Sequence, residues 1–263
     1  MEILGFVLAI VMGFTLGLLG GGGSILTVPI LVYVLGIEPV LATAYSLFVV
    51  GSTSVLGGIR KSMESLVDWK TGLIFAAPSL LAVFLTRRFL VPAIPEELFT
   101  VGDFHFTKQI AIMVFFAIVM LLAAYSMIKG RKESDEAEKK PLNIVLVVLE
   151  GTIVGVVTGL VGAGGGFLIV PALVLLVGLR MKVAVGTSLV IIAIKSLIGF
   201  LGDLGSGQEI DWNFLLFFTG FSFIGMFLGI YATKFVKPTA LKKGFGWFVL
   251  FMGIFILLKE TVL

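Results

Sequence analysis

Long apolar runs alternate with short polar joints along this chain. Apolar stretches cover about 3–19, 25–37, 39–59, 69–90 and 107–128, and a second set covers about 142–161, 167–179, 182–202, 212–235 and 244–262. Most are long enough to cross a hydrocarbon core of about 30 Å at 1.5 Å per residue. The second stretch of each set is too short: as a helix it reaches only about 20 Å. One polar segment, KGRKESDEAEKKP from Lys129 to Pro141, divides the chain nearly in half and reads as a solvated linker. The pattern predicts an all-α polytopic membrane protein. Its halves are residues 1–128 and 142–263, joined by a linker over 129–141.

The halves repeat each other. LLGGGGSILTVPILVYVLGIEPVLATAYSL (18–47) aligns without gaps on LVGAGGGFLIVPALVLLVGLRMKVAVGTSL (160–189), at an offset of 142. Gly13, Gly17, Gly20, Gly22, Gly23 and Pro29 fall on Gly155, Gly159, Gly162, Gly164, Gly165 and Pro171, and VDW (67–69) matches IDW (210–212) after one inserted residue. Shared hydrophobicity alone does not keep glycines and a proline in register, so this is an internal duplication.

Composition agrees and narrows the classes. The chain is 59% hydrophobic and 13% charged, against about a quarter charged for a soluble domain. There are no cysteines and a single histidine, His105, which leaves no thiolate site and no pair of imidazoles for a metal. The N-terminus lacks a basic n-region and a cleavage site, and is read as the first membrane segment. The net charge of +3 does not point to nucleic acid, because Lys and Arg sit at the ends of apolar runs. Arg60, Lys61, the Lys129–Lys140 cluster, Arg180, Lys182, Lys234, Lys237, Lys242 and Lys243 can share one side, cytoplasmic by the positive-inside rule, with Arg87 and Arg88 as exceptions. Both termini then lie outside, and the two copies run in opposite directions. Each copy is expected to begin with a glycine-broken or re-entrant helix pair followed by three transmembrane helices. Such inverted repeats recur in secondary transporters.

Gly20, Gly21, Gly22, Gly23 and Ser24, with Gly162, Ala163, Gly164, Gly165 and Gly166, are the first candidates for a binding site. Consecutive glycines disfavour a regular helix and permit a tight reversal. A short helix starting there, at Ser24 or Gly166, offers free N–H groups that lipid cannot satisfy and an anion can. Two inverted breaks would form a cradle for a small oxyanion. The outer glycines, Gly13, Gly17 and Gly20 with Gly155, Gly159 and Gly162, are read first as helix-packing positions.

Polar residues within apolar runs add further candidates. Thr43, Tyr45, Ser46, Ser52, Thr53 and Ser54 follow the first break, and Thr187, Ser188, Lys195 and Ser196 the second; Ser46 and Ser188 are equivalent positions. Such hydroxyls either coordinate an anion or bond back to helix carbonyls. Lys195 lies about 20 Å from one helix end and about 12 Å from the other, too deep to snorkel easily. It either neutralises the anion, carries a coupled proton, or pairs structurally with Glu150. His105 is expected in an outer loop as an interfacial residue, and Asp68-Trp69 and Asp211-Trp212 as helix caps with aromatic anchors.

GLLGGGGSILTVPIL (17–31) with GLVGAGGGFLIVPAL (159–173) resembles the signature of the sulfite exporter TauE/SafE family of membrane permeases. The resemblance spans essentially the whole chain. It implies transport, usually export, of a small anion such as sulfite or sulfoacetate across a prokaryotic inner membrane; the inverted breaks place its binding near the midplane between them. The alternative is a passive anion channel. A membrane enzyme lacks its catalytic inventory here, ATP-driven pumping lacks a GxxxxGK[ST] motif, and no cofactor is called for. The sequence sets neither the anion nor the oligomeric state.

Overall fold

The computed structural model describes residues 2–101, 104–129, 144–175, 177–204, 209–233, 235 and 238–261. Nearly all of the expected linker lies outside these residues. Eight of the described helical stretches are long and apolar enough to cross a membrane.

Helix α1 (Glu2–Leu19) runs for 18 residues, about 27 Å. Gly20 then takes φ +70°, and the chain turns into a tight 3-10 helix over Gly20–Leu26. It continues as a short helix, α2 (Thr27–Pro29), and a wider π turn over Ile30–Val34. This segment doubles back along α1. Gly23 abuts the backbone of Thr15 and Leu16, and Leu35 covers Gly5. Although residues 4–34 carry no charge, they form a pair of segments folded back on each other and not one straight helix.

Helix α3 (Pro39–Met63) starts with proline at its first turn, where no N–H is missed. Helix α4 (Trp69–Leu85) continues through a π turn (Thr86–Leu90) into α5 (Val91–Ala93). An antiparallel hairpin follows, β1 (Glu97–Val101) with β2 (Phe104–Thr107), in which Thr100 faces His105. The hairpin is a small addition to a mostly helical chain, and it puts His105 on a strand where a loop was expected. Phe99 and Phe106 stack across the ladder with ring centroids 4.7 Å apart. Such a cross-strand aromatic pair stabilises a short hairpin. Helix α6 (Lys108–Lys129) leads back from it.

The second half holds α7 (Ile144–Val161), α8 (Gly166–Leu175), α9 (Met181–Leu204), α10 (Trp212–Ala232) and α11 (Pro238–Thr261). Its turns echo the first half. Gly162 and Gly178, with φ of +72° and +76°, occupy the positions of Gly20 and Gly36, each at +70°. Asp68 and Asp211 cap α4 and α10 by accepting from Thr71 N–H and Phe214 N–H, each at 3.0 Å. Each aspartate's own N–H is held by a hydroxyl from the other half: Asp68 N–H by Thr187 at 2.9 Å, Asp211 N–H by Tyr45 at 2.7 Å.

Helix pairing follows the same rule. Helix α1 packs on α10 and α7 on α4, while α3 packs on α9 and α6 on α11. Gly13 and Gly17 press on the backbone of Ser222 and Met226, and Gly155 and Gly159 on that of Ser79 and Val83. These outer glycines are packing residues: without a Cβ, two helices approach within backbone contact.

Candidate functional site

The two glycine breaks meet inside the bundle. Gly21 lies so close to Gly166 that a Cβ on either would strike the other's Cα. A Cβ on Gly164 would sit 3.4 Å from that of Ser24 and against Val50. Gly20 faces Val185 and Gly162 faces Thr43. All ten residues of the two breaks are buried.

The breaks differ in backbone chemistry. In the first, the glycines wind into the 3-10 helix, which consumes N–H groups in short-range bonds. The expected open turn leading to a helix at Ser24 is therefore replaced by regular, if tight, helix. Glycines at 21 and 23 permit this, because side chains there would collide with Gly166 and α1. The second break stays open, with Gly164 and Gly165 at φ +64° and +66°. Gly162 N–H closes α7 on Thr158 O at 2.7 Å, and Leu168 N–H returns to Gly165 O at 3.0 Å. Among the described residues, the N–H groups of Ala163, Gly164 and Gly165 have no acceptor. Successive N–H groups freed by such a turn form an anion-binding concavity.

Lys195 reaches this break. Its Nζ donates to Thr158 Oγ1 at 2.8 Å, and a Cβ on Gly165 would stand 2.8 Å from that nitrogen. Lys195 is completely buried. Among the described residues no carboxylate pairs with it, so the structural pairing with Glu150 considered from spacing is not made.

The serines divide between the breaks. Thr43 and Val50, three residues before and four after Ser46, contact Gly162 and Gly164, so Ser46 lies on the α3 face turned to the second break. Val185 and Ile192 bracket Ser188 in the same way against Gly20 and Gly21. Ser188 is spent on Val185 O at 2.8 Å and Ser24 on Gly21 O at 2.8 Å. Ser46, together with Ser54 and Ser196, is buried with no hydrogen-bond partner. Thr187 lies toward the other end of α9 and is occupied by Asp68 N–H.

Sequence reasoning missed two contacts. Thr158 carried no visible signal, being one threonine in an apolar helix. Arg87 did stand out, as an exception to the charge pattern. It is fully buried, and its Nε donates to Asp203 Oδ2 at 2.8 Å. Its Nη1 donates to Thr43 Oγ1 at 2.9 Å and Gly159 O at 3.1 Å, and Nη2 to Val40 O at 3.5 Å. No group of three or more potential metal ligands occurs among the described residues.

Known proteins place this arrangement in context. The family model described as sulfite exporter TauE/SafE matches residues 5–256. A probable membrane transporter protein of Xylella fastidiosa (strain 9a5c) is 29% identical over 254 residues, covering 94% of this chain and 92% of that protein. One from Haemophilus influenzae is 29% identical over 267 residues, covering 94% of each. The probable membrane transporter protein YunE of Bacillus subtilis is 28% identical over 239 residues, covering 80% of this chain and 82% of its own. No solved structure matches. With its paired breaks and the family match over nearly its whole length, the chain belongs to the sulfite exporter TauE/SafE family of membrane transporters.

Proposed function

We propose that the protein is a secondary transporter of a small oxyanion, with the second glycine break as the anion site. One observation carries this reading: among the described residues, the Lys195 ammonium is buried beside three unpaired N–H groups, with no carboxylate to balance it. A buried cation without a counter-ion is costly in a membrane interior. A bound anion supplies the missing charge and accepts from the open N–H groups, with the unpartnered Ser46 hydroxyl on the adjoining face of α3. Lys195 also supplies a group through which proton movement is coupled to the anion.

The halves are read as inverted repeats, joined by the linker 129–141. The exchange of helix pairings between halves supports this, as does the placement of Gly20 near the start of α9 and of Gly162 near the start of α3. Arg60, Lys61, Lys129, Arg180 and Lys182 sit at the ends of apolar runs that can all be placed on the linker's side, which supports a cytoplasmic linker and outward termini. The family points to export of a sulfur oxyanion or sulfonate across a prokaryotic inner membrane.

The test is a panel of sulfite, sulfoacetate, thiosulfate, sulfate and acetate applied to purified protein in lipid. Saturable binding of at least one oxyanion is expected, together with concentrative, proton-sensitive flux in proteoliposomes. Purely downhill flux that never saturates would instead identify a channel. Absence of binding and flux across the whole panel overturns the anion reading.

A further inference from the structure

A second buried cation borders the same break. Thr158, which holds Lys195, and Gly159, whose carbonyl holds Arg87, are consecutive residues in the last turn of α7. On α9, Lys195, Gly199 and Asp203 are spaced four residues apart and share one face. Lys195 and Asp203 are thus separated by about 12 Å along the helix. Arg87 joins the end of α4, the start of α3, the end of α7 and the end of α9 through four hydrogen bonds.

The repeat carries no counterpart of this ion pair at the equivalent positions. The positions equivalent to Arg87 and Asp203 are Ile230 and Lys61, and the residue equivalent to Thr43 is Val185. Lys61 there holds the neighbouring Glu64 at 2.6 Å, a local and partly exposed pair. The fold therefore closes one end with apolar contacts. At the other it places a guanidinium, desolvated and satisfied by a carboxylate on the chain itself.

We propose that Arg87 is a second anion station, occupied in this state by the Asp203 carboxylate, which a transported oxyanion takes over after leaving Lys195. This rests on the reading of Lys195 as the first site. A carboxylate and a small oxyanion present the same acceptor chemistry to a guanidinium fork. In the first stage the anion neutralises Lys195 while Asp203 neutralises Arg87; in the second the anion holds Arg87, and the displaced Asp203 and the emptied Lys195 are left as opposite charges on one face of α9.

The test is calorimetric titration of sodium sulfite into the full-length protein in nanodiscs. Wild type is expected to bind at the first site, and Lys195→Met to lose that binding. Asp203→Asn is expected to gain a second sulfite site that disappears in Arg87→Gln/Asp203→Asn. A wild-type isotherm for Asp203→Asn beside a lost one for Lys195→Met overturns the station alone, as does a gained site that survives removal of Arg87. Identical isotherms for wild type and Lys195→Met overturn the first-site reading. If Asp203→Asn does not fold, Arg87→Lys decides, because it keeps the charge and gives up the fork. Sulfite flux is then expected to fall ~10-fold or more at unchanged first-site affinity, and wild-type flux sinks the proposal.

Discussion

Lys195 Nζ donates to Thr158 Oγ1 at 2.8 Å inside the bundle, a neutral hydroxyl taking the place where a carboxylate would be expected. Replacing a buried charge by an apolar side chain of similar length is often neutral or stabilising. Lys195→Met is therefore expected to melt at or above the wild-type temperature, while oxyanion flux falls by ~100-fold or more, the scale of losing one preorganised charge-stabilising group. Proteoliposome flux and a melting curve on the same preparation check both halves. Wild-type flux in this variant removes Lys195 from the mechanism.

The breaks make opposite predictions for Gly22 and Gly164, which are equivalent positions in the two copies. A Cβ on Gly22 would meet nothing nearer than Leu19 Cβ at 3.7 Å and Met127 Cε at 3.9 Å. Gly22→Ala should stay within ~0.5 kcal/mol of wild type and transport normally. Gly164 combines a left-handed φ of +64° with contact against Val50. Gly164→Ala should cost ~1–3 kcal/mol and reduce flux per folded molecule, because the open turn must rearrange. Undiminished flux in Gly164→Ala would count against the second break as the site.

Much of this was legible in the chain. The duplication, the packing glycines and the Asp-Trp caps each rest on a local pattern, and local patterns survive into the fold. The depth of Lys195 was readable from helix rise alone, but its partner was not. Thr158 lies 37 residues away on another helix, and Glu150, a more obvious match by charge, makes no ion pair with Lys195. The pairing of Arg87 with Asp203 spans 116 residues. Its only trace was an arginine on the wrong side of the charge map. The difference between the two breaks was hidden for another reason. GGGG and GAGGG look interchangeable, yet the first winds into a 3-10 helix and the second does not. That choice depends on tertiary neighbours such as Leu16, Gly166 and Lys195.

Removing one member of the buried ion pair should be far worse than removing both. Arg87→Met leaves the Asp203 carboxylate buried without its guanidinium, for an expected loss of ~3–5 kcal/mol. Arg87→Met/Asp203→Leu should recover most of it, since a well-packed apolar pair of similar volume is often as stable. Chemical melts of the three proteins in one detergent measure the recovery. A double variant no more stable than Arg87→Met shows that the pair stabilises the fold beyond its mutual charge.

Thr187 offers the sharpest separation of structure from site. From sequence it belonged with the anion contacts, but its hydroxyl accepts from Asp68 N–H at 2.9 Å, as Tyr45 does from Asp211 N–H. Thr187→Val keeps the shape and leaves a partly buried donor without its acceptor, which costs ~1–3 kcal/mol. Tyr45→Phe should lose a similar amount, because the two bonds are equivalent under the repeat. Flux normalised to folded protein should stay at the wild-type level in Thr187→Val, since neither Lys195 nor the second break loses a contact. If Thr187→Val instead melts like wild type and loses transport, the hydroxyl belongs to the substrate and the capping role assigned to it is wrong.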